Sequence, residues 1–212
     1  MTPEAPRDCP LCPRLVAYRQ ENAAKAPTWF NGAAPSFGDP EARLLVVGLA
    51  PGRTGANRTG RPFTGDHAGW LLYETLLATG FARGRYDARP DDGLELVDCM
   101  ITNAVRCAPP GNKPLPVEEA TCRPFLTARL SALPRLKVIV TLGDVSRRNV
   151  LKALGLPGSA APSGHGAEAE VGGCALLNSY HCSRLNTNTG RLTPQMFRQV
   201  FERARDLIAS RP

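Results

Sequence analysis

Four of the seven cysteines are spaced in a way that could enclose a metal centre. Cys9 and Cys12 form a C-x2-C pair early in the chain, and Cys107 and Cys122 bracket fourteen residues. Four thiolates in two such groups can hold tetrahedral zinc or an iron–sulfur cluster. Zinc sites usually have two closely spaced pairs, so the wide second pair favours a cluster. The alternative is four unrelated buried thiols, because free cysteine is often buried.

A glycine-containing segment followed by polar residues could bind a nucleotide base. Residues 48–52 (GLAPG) would let backbone N–H groups approach a ligand closely, and Arg58, Arg61, Phe63 and Asp66 then follow within nine residues. An aromatic ring can stack on a base, and a carboxylate can position or activate water. Phe63 could instead be a core residue and Asp66 a helix N-cap, although capping and catalysis are compatible.

Two further polar segments lie in or just after apolar stretches. Asn103 lies within such a stretch, where a buried amide must find partners and can offer a base both a donor and an acceptor. His181 follows another, and Arg184 and Leu185 come shortly after it. These residues could hydrogen-bond a ligand, contact phosphates and wedge into a base stack. The alternatives are structural: a hydrogen bond to a nearby loop for the amide, and ordinary packing for the histidine and leucine.

Short apolar runs alternate with amphipathic stretches along the chain. We predict strands at residues 43–48, 100–105, 137–142 and 174–180, and helices at residues 68–78, 117–130, 145–154 and 194–209. This alternation predicts an α/β fold, a three-layer α/β/α arrangement with a mostly parallel four-stranded central sheet. Ligands of such sheets bind beyond the carboxyl ends of the strands, where the candidate segments lie. The loops at 84–93 and 155–166 are expected to be mobile.

The composition favours a nucleic-acid partner. The chain has 212 residues, enough for a single domain over 1–212, and carries a formal charge of +7 with a pI of about 9.3. Of the 26 basic residues 22 are arginines, which suit phosphate oxygens, although arginine-rich codon usage is an alternative explanation. We expect phosphate contacts from Arg58, Arg61, Arg184 and Arg191. Without a membrane-spanning run or a secretory signal, a cytoplasmic location and reduced thiols are expected.

Taken in order, these motifs resemble the uracil-DNA glycosylases of family 5, the type B enzymes. The resemblance runs from Cys9 to about Phe201 and rests on the spaced cysteines, residues 48–52, 57–66, 103–110 and 181–193. The related family 4 enzymes usually have an acid in the motif that corresponds to residues 48–52. Leu49 and Ala50 are apolar at that point, which favours family 5.

The resemblance implies a role for each matched residue. A [4Fe–4S] cluster would be held by Cys9, Cys12, Cys107 and Cys122, and a base or DNA would contact Gly48, Leu49, Ala50, Gly52, Phe63, Ser183, Arg184 and Leu185. Phe63 would stack on the flipped base, Asn103 would bond its edge, and His181 would bond its carbonyl. Asp66 would position water or stabilise the sugar cation. Leu185 would fill the gap left in the base stack.

The same resemblance implies a DNA-repair hydrolase that cuts the N-glycosidic bond of uracil, with DNA as partner and a monomer as the expected state. In narrowly uracil-specific relatives a tyrosine ends the first motif and crowds the base. Gly52 stands there in this chain, so we expect a roomier pocket that also accepts hypoxanthine and 5-substituted uracils. Cys182 follows His181 where the family commonly has a proline, so that stiffening residue is missing.

Two other functions fit parts of the pattern. An iron–sulfur module that binds or senses DNA without catalysis would keep the cysteines and would not need Asp66 or Asn103. An α/β enzyme acting on a nucleotide or other phosphorylated molecule would be expected to carry a glycine-rich phosphate loop. The sequence contains no G-x-x-x-x-G-K-[ST] motif, which argues against the second.

Overall fold

The computed structural model describes residues 3–211, and in that part of the chain it has eight strands and seven α-helices. The strands are β1 (Phe37–Gly38), β2 (Leu44–Gly48), β3 (Ala82–Arg83), β4 (Glu95–Leu96), β5 (Cys99–Asn103), β6 (Val138–Leu142), β7 (Ala167–Val171) and β8 (Cys174–Ser179). The helices are α1 (Pro13–Lys25), α2 (Ala56–Thr59), α3 (His67–Ala78), α4 (Pro116–Ser131), α5 (Asp144–Ala153), α6 (Arg184–Asn188) and α7 (Pro194–Ser210). Within residues 3–211, no helix combines the length and apolarity needed to cross a membrane.

The main sheet has six strands in the order β1-β5-β2-β6-β8-β7. Its four inner strands are parallel and confirm the four predicted strands. The predicted total of four was wrong, because β1 and β7 add antiparallel edges. Strand β7 alternates apolar and acidic residues and turns into β8 through Gly172 and Gly173, whose φ angles of 56° and 83° suit a two-residue hairpin. Strand β1 has only two residues, too few for a pattern.

Helices cover both faces of this sheet and confirm the three-layer prediction. Helices α3 and α7 pack on one face, and α4 and α5 pack on the other. Side chains of β2 alternate between the two cores: Leu44 and Val46 join the first, and Leu45 and Val47 join the second. Because both faces are buried, the strand is apolar throughout rather than alternating. This arrangement places the carboxyl ends of four parallel strands along one edge of the sheet.

A third, smaller core joins α1 to the rest of the fold. It contains Cys9, Leu15, Cys107, Cys122 and Phe125. Ion pairs reinforce it: Glu4 contacts both Arg106 and Arg129, and Arg14 lies 2.7 Å from Glu118. The N-terminal segment is therefore attached by polar contacts as well as by the cysteine-containing core. Residues 1, 2 and 212 of the predicted single domain lie outside the described residues.

The loop predicted at 84–93 is anchored at both ends. It connects β3 to β4, which pair as a short hairpin. Asp92 makes a two-pronged ion pair with Arg61, with N–O distances of 2.8 and 2.7 Å, and both side chains are at most 5% exposed. This pair ties the loop to the segment that carries Phe63 and Asp66.

Candidate active site

A cavity of about 510 Å³ opens beyond the carboxyl ends of β2 and β5 and beside the loop after β8. Nine of the eleven residues predicted to contact a base, DNA or the reacting sugar line it: Leu49, Ala50, Gly52, Phe63, Asp66, Asn103, His181, Ser183 and Arg184. The other two adjoin it. Gly48 lies behind the cavity wall, and Leu185 lies next to Arg184 on α6. The parallel sheet thus brings together segments that are far apart in the sequence.

Phe63 and Asn103 line this cavity and meet over Gly48. Gly48 and Asn103 are paired residues at the ends of neighbouring strands. A Cβ atom on Gly48 would lie 2.4 Å from Asn103 Oδ1 and 2.5 Å from Phe63 Cζ, so only glycine leaves room for both side chains. The Asn103 side chain is 3% exposed, and its Oδ1 has no hydrogen-bond partner among residues 3–211. A buried amide without a partner is costly, which fits a group that awaits a ligand.

Phe63 is held in a conformation that few residues other than glycine adopt. Its φ angle is 53°, in the left-handed region, and strain of this kind concentrates at functional sites. The Tyr86 hydroxyl donates to the Phe63 carbonyl at 3.2 Å. Helix α3 can approach that carbonyl because residue 69 is glycine: a Cβ there would lie 1.8 Å from the oxygen. Phe63 is 7% exposed, and its ring lies 6.1 Å, centroid to centroid, from the His181 ring.

Asp66 caps a helix and also lines the cavity. It is the N-cap of α3, and its Oδ1 accepts a hydrogen bond from the Gly69 backbone N–H at 3.2 Å. Its Oδ2 lies against two glycines: a Cβ on Gly52 would be 2.9 Å from that oxygen, and one on Gly55 would be 2.2 Å from it. Burial raises the pKa of the Asp66 carboxyl, although the backbone N–H groups of Gly69 and Ala68 oppose the shift.

His181 lies in a loop held by several contacts. Burial lowers the pKa of its imidazole, which favours the neutral ring at physiological pH. Asn186 donates a side-chain hydrogen bond to the His181 carbonyl at 2.8 Å, and Ser183 caps α6. Cys182, the residue in place of the family's proline, is fully buried in the core beside this loop. These contacts hold the loop without a proline.

Helix α6 presents the predicted wedge residue to solvent. The Leu185 side chain is 72% exposed, an unusual position for a large apolar residue. His67 Nε2 lies 3.0 Å from Thr187 Oγ1 and connects the start of α3 to α6. The helix that carries Leu185 is therefore fixed beside the cavity mouth.

The four arginines expected to contact phosphates differ in their surroundings. Arg184 is exposed and lines the cavity, and Arg191 is exposed with its guanidinium 4.3 Å from the centre of the Tyr180 ring. Arg58 is exposed, although it donates to the carbonyls of Thr54 and Gly65. The expectation for Arg61 was wrong, because its side chain is buried in the ion pair with Asp92. Arg61 positions the segment around Phe63 instead.

Several site residues could not be recognised from their own sequence context. Arg53, Thr54 and Asn112 line the cavity, and Asn112 comes from the loop between Cys107 and Cys122. His165 supports the end of β8: its Nδ1 accepts from the Tyr180 backbone N–H at 3.3 Å, and its ring packs on Tyr180. Gly55, which lies against Asp66, did carry a sequence signal, because it follows Gly52 by three residues in the same loop.

The four predicted cysteine ligands lie around one small cavity in the third core. Cys9, Cys12, Cys107 and Cys122 all line it, and all seven cysteines are free thiols. Two N–H groups point at sulfur: Arg19 Nη1 lies 3.7 Å from Cys107 Sγ, and the Arg106 backbone N lies 3.3 Å from Cys122 Sγ. Burial raises the pKa of Cys107 to about 12 and that of Cys122 to about 11.

The spacing of these thiols does not match a site for a single ion. No group of three or more His, Cys, Asp or Glu residues within residues 3–211 is arranged to hold one metal ion. The cysteine core also contacts the cavity at the strand ends, because Ala50 packs against this core while lining that cavity. A group bound between the thiols would therefore support the wall of the cavity.

Comparison with known proteins identifies the family. The profile of the Uracil DNA glycosylase superfamily matches residues 35–205. The chain is 47% identical over 205 residues to the type-5 uracil-DNA glycosylase of Thermus thermophilus, covering 94% of this chain and 93% of that protein. It is 42% identical over 209 residues to the type-5 uracil-DNA glycosylase of Mycobacterium bovis, covering 94% and 78%.

The type-4 enzymes are more distant. A type-4 uracil-DNA glycosylase of Thermotoga maritima is 30% identical over 205 residues, covering 92% of this chain and 93% of that protein. The predicted preference for the fifth family over the fourth is thereby confirmed. The chain belongs to the uracil DNA glycosylase superfamily and, within it, to the type-5 uracil-DNA glycosylases.

Proposed function

We propose that this protein removes uracil from DNA by hydrolysing its N-glycosidic bond. The observation that carries this proposal is the convergence of an aromatic ring, a buried amide with an unpartnered oxygen, a neutral histidine and a buried carboxylate on one cavity. The named activity of the type-5 relatives supports the same reaction. A DNA-binding module without catalysis would not need Asp66 and Asn103 in this arrangement.

The base would be recognised by stacking and by hydrogen bonds. Phe63 stacks on the flipped base, and the Asn103 amide bonds its polar edge, which satisfies the buried Oδ1. His181 is neutral and donates an N–H to a base carbonyl. As the glycosidic bond breaks, its electron pair moves onto the base, so the carbonyl oxygen gains negative charge and this hydrogen bond strengthens. Losing one such donor typically lowers the rate by about 10²- to 10³-fold.

Asp66 would act on the sugar side of the bond. The departing base leaves a sugar with oxocarbenium character, and a carboxylate nearby stabilises that positive charge. The same carboxylate can orient the water whose oxygen adds to the anomeric carbon, while a water proton is released and the anionic base is protonated. Because Oδ1 caps α3, the carboxylate is fixed before the substrate arrives.

The excision assay tests this function directly. Oligonucleotides that carry uracil, hypoxanthine, 5-hydroxymethyluracil or only normal bases are incubated with protein and then cleaved with alkali. We expect cleavage at uracil and none at normal bases. Absence of cleavage at uracil would contradict the proposed function.

We further propose that the pocket accepts hypoxanthine and 5-substituted uracils. Gly52 has no side chain to crowd the base, and the neighbouring Leu49 and Ala50 are apolar. Selectivity would then depend more on how readily a mispaired base flips, an advantage of a few kcal/mol. The packing of Gly52 against Asp66 adds a second constraint, because a tyrosine at position 52 would also displace the carboxylate. A Gly52→Tyr variant therefore tests both base range and catalysis.

We propose that Cys9, Cys12, Cys107 and Cys122 hold a [4Fe–4S] cluster. In such a cluster each thiolate binds a different iron, so the four sulfur atoms need not converge on one ion. The buried thiols, the two N–H groups directed at sulfur and the nearby arginines suit an anionic cluster. When bound, the cluster would brace the third core. Hydrolysis transfers no electrons, so we assign the cluster no step in the reaction.

Purified protein is expected to be brown and to contain about four irons per chain. Replacing Cys107 with serine should remove the colour, lower the iron content and lower the melting temperature. Cys174→Ser is the matched control, because that thiol is half-buried at a distant strand and should be dispensable. Protein prepared anaerobically with stoichiometric zinc and no iron would contradict the cluster.

Replacing Leu185 with alanine should lower excision from duplex DNA by ~10-fold or more and affect single strands much less. Only a duplex loses stacking and pairing when the base flips, and a wedge offsets that cost. Single-turnover rates on matched duplex and single-stranded substrates measure the difference. Val117→Ala is a suitable control, since Val117 is also exposed and apolar but lies on α4. Equal losses on the two substrates would remove the wedge role.

The remaining sequence-based expectations concern partners and location. We propose that the exposed Arg58, Arg184 and Arg191 contact phosphates, so affinity for DNA should fall as salt rises. A monomer and a cytoplasmic location stay predictions.

A further inference from the structure

A second cleft, of about 450 Å³, lies beside the base cavity and has a different composition. We call it the Trp29 cleft, and its main lining residues are Arg7, Trp29, Phe30, Arg58 and Arg89. The three arginines are exposed, and the two aromatic residues are half-buried. The Arg89 side chain is 63% exposed, and its contacts to Asp87 and Asp91 are both long, at 3.8 Å. A phosphate could therefore bind Arg89 at little cost.

The walls of this cleft are fixed to the segment that carries Phe63 and Asp66. The Phe30 backbone N–H donates to the Arg58 carbonyl at 3.0 Å, and the Asn31 N–H donates to the Asn57 carbonyl at 2.9 Å. The Asn57 side-chain amide donates to Asn31 Oδ1 at 3.0 Å. Arg7 lies over the Phe30 ring at 4.7 Å and donates to the Phe30 carbonyl. The aromatic rings are thus held in place by the surrounding chain.

Two contacts show that the cleft adjoins the base cavity. Arg53 lines the base cavity, and its guanidinium lies 5.5 Å from the centre of the Trp29 ring. Arg58 lines the cleft and donates to the carbonyls of Thr54 and Gly65, the latter being the residue before Asp66. The two sites are therefore close enough for neighbouring nucleotides of one strand to reach both.

We propose that the Trp29 cleft binds unpaired nucleotides of the strand that carries the flipped base, adjacent to that base. Aromatic side chains interleaved with arginines are the usual means of holding single-stranded nucleic acid: bases stack on the rings and phosphates bind the guanidinium groups. A base that is still paired cannot offer its face to Trp29. The cleft would therefore extend recognition beyond the flipped nucleotide. This proposal rests on the proposed action on DNA.

Binding can be followed by the fluorescence of one indole. The chain has two tryptophans, so a Trp70→Phe background leaves Trp29 as the sole indole. The probes are single-stranded oligonucleotides that contain a non-cleavable abasic-site analogue. One has long flanks on both sides, and two others are truncated on the 5′ or the 3′ side. We expect quenching of Trp29 by the long probe and by one truncated probe only, because the cleft adjoins the cavity on one side.

Substitutions in the cleft provide the second readout. Trp29→Ala should weaken binding of the long probe by ~5- to ~150-fold, the loss of one base–aromatic stack, while Trp29→Phe should retain most of the affinity. Arg89→Gln, at an exposed position, should reduce the salt dependence of binding by about one phosphate contact. The rate of excision at saturating substrate should stay unchanged in all three variants.

The proposal is overturned if Trp29 is not quenched by any probe, or if truncation on neither side weakens binding by the wild type more than binding by Trp29→Ala. It is also overturned if Trp29→Ala weakens the binding only of probes whose flanks are base-paired, because the cleft would then hold paired DNA. Failure of the proposed function is a separate result: wild type would bind the abasic probe through the cleft and yet release no uracil.

Discussion

Replacing Asp66 with asparagine is expected to lower kcat for uracil excision by ~10²- to 10⁴-fold, the usual range for losing a positioned acid–base group. It should also make the protein more stable at neutral pH. Asparagine can cap α3 as well as aspartate does, so the helix start should be retained. The substitution removes only the buried negative charge, and the two effects should therefore separate catalysis from folding.

The stability gain should depend on pH in a defined direction. Burial raises the pKa of the Asp66 carboxyl, so the folded protein holds that proton more tightly than the unfolded chain does. The stabilisation from this proton is complete below the ordinary pKa of an aspartate and is lost as pH rises through the raised value. The difference between variant and wild type should thus be small in acid and greatest near neutral pH.

In the wild type, the rate of excision should rise over the pH range in which the stabilisation from the Asp66 proton is lost. Excision needs the ionised carboxylate and the neutral His181 ring, and both forms increase as pH rises through the acidic range. Rate–pH profiles and thermal unfolding of the wild type and Asp66→Asn measure both effects. Asp206→Asn, at an exposed position on α7, is the matched control. A variant that loses stability along with activity would show that the carboxylate has a structural role instead.

Much of the fold was predictable because the buried parallel strands carry a strong local signal. Strands β2, β5, β6 and β8 are apolar runs bounded by glycine or polar residues, and the four predicted helices that follow them carry apolar residues at helical spacing. The two edge strands were missed for different reasons. Strand β1 is too short to show a period, whereas the alternating Ala167–Val171 segment and its Gly-Gly turn did carry a signal.

The candidate site was predictable where a residue type reports its chemistry and where the family resemblance supplied a position. Asn103 and His181 were singled out because they are polar residues at strand ends, and Asp66 because it is a carboxylate close to Phe63 in one loop. Asn112 and His165 were missed, because only the folded chain brings their loops to the site. Arg61 was misassigned for the same reason: its partner Asp92 lies in a distant loop, and a buried ion pair cannot be told from a phosphate contact by sequence alone.

The loop after β8 illustrates how a local departure can be compensated elsewhere. A proline after His181 would stiffen the loop by fixing one backbone angle. In this chain Cys182 is buried in the core, Asn186 bonds the His181 carbonyl, and His165 holds the end of the strand just before it. The position of His181 is therefore set by side-chain contacts on both sides rather than by the backbone of the next residue.

Gly48→Ala is expected to reduce kcat/KM for uracil excision by ~10³-fold, although it adds only one methyl group. The new Cβ would come within 2.4 Å of Asn103 Oδ1 and 2.5 Å of Phe63 Cζ, so both side chains must move. Losing the amide contact corresponds to ~10²- to 10³-fold in rate, and disturbing the stacked ring adds the loss of part of a base–aromatic interaction. Overpacking should destabilise the fold by about 1–3 kcal/mol.

A double-mutant cycle shows whether the methyl group acts through the amide. If Gly48→Ala works mainly by displacing Asn103, it should cost much less activity in an Asn103→Ala background than in the wild type. Gly158→Ala is the matched control, because a Cβ there has no atom within 4 Å. Affinity for DNA with an abasic-site analogue should be nearly unchanged in Gly48→Ala, since no base enters the cavity. Full additivity of the two substitutions, or wild-type activity of Gly48→Ala, would show that the close approach of Gly48, Asn103 and Phe63 does not set the geometry of base recognition.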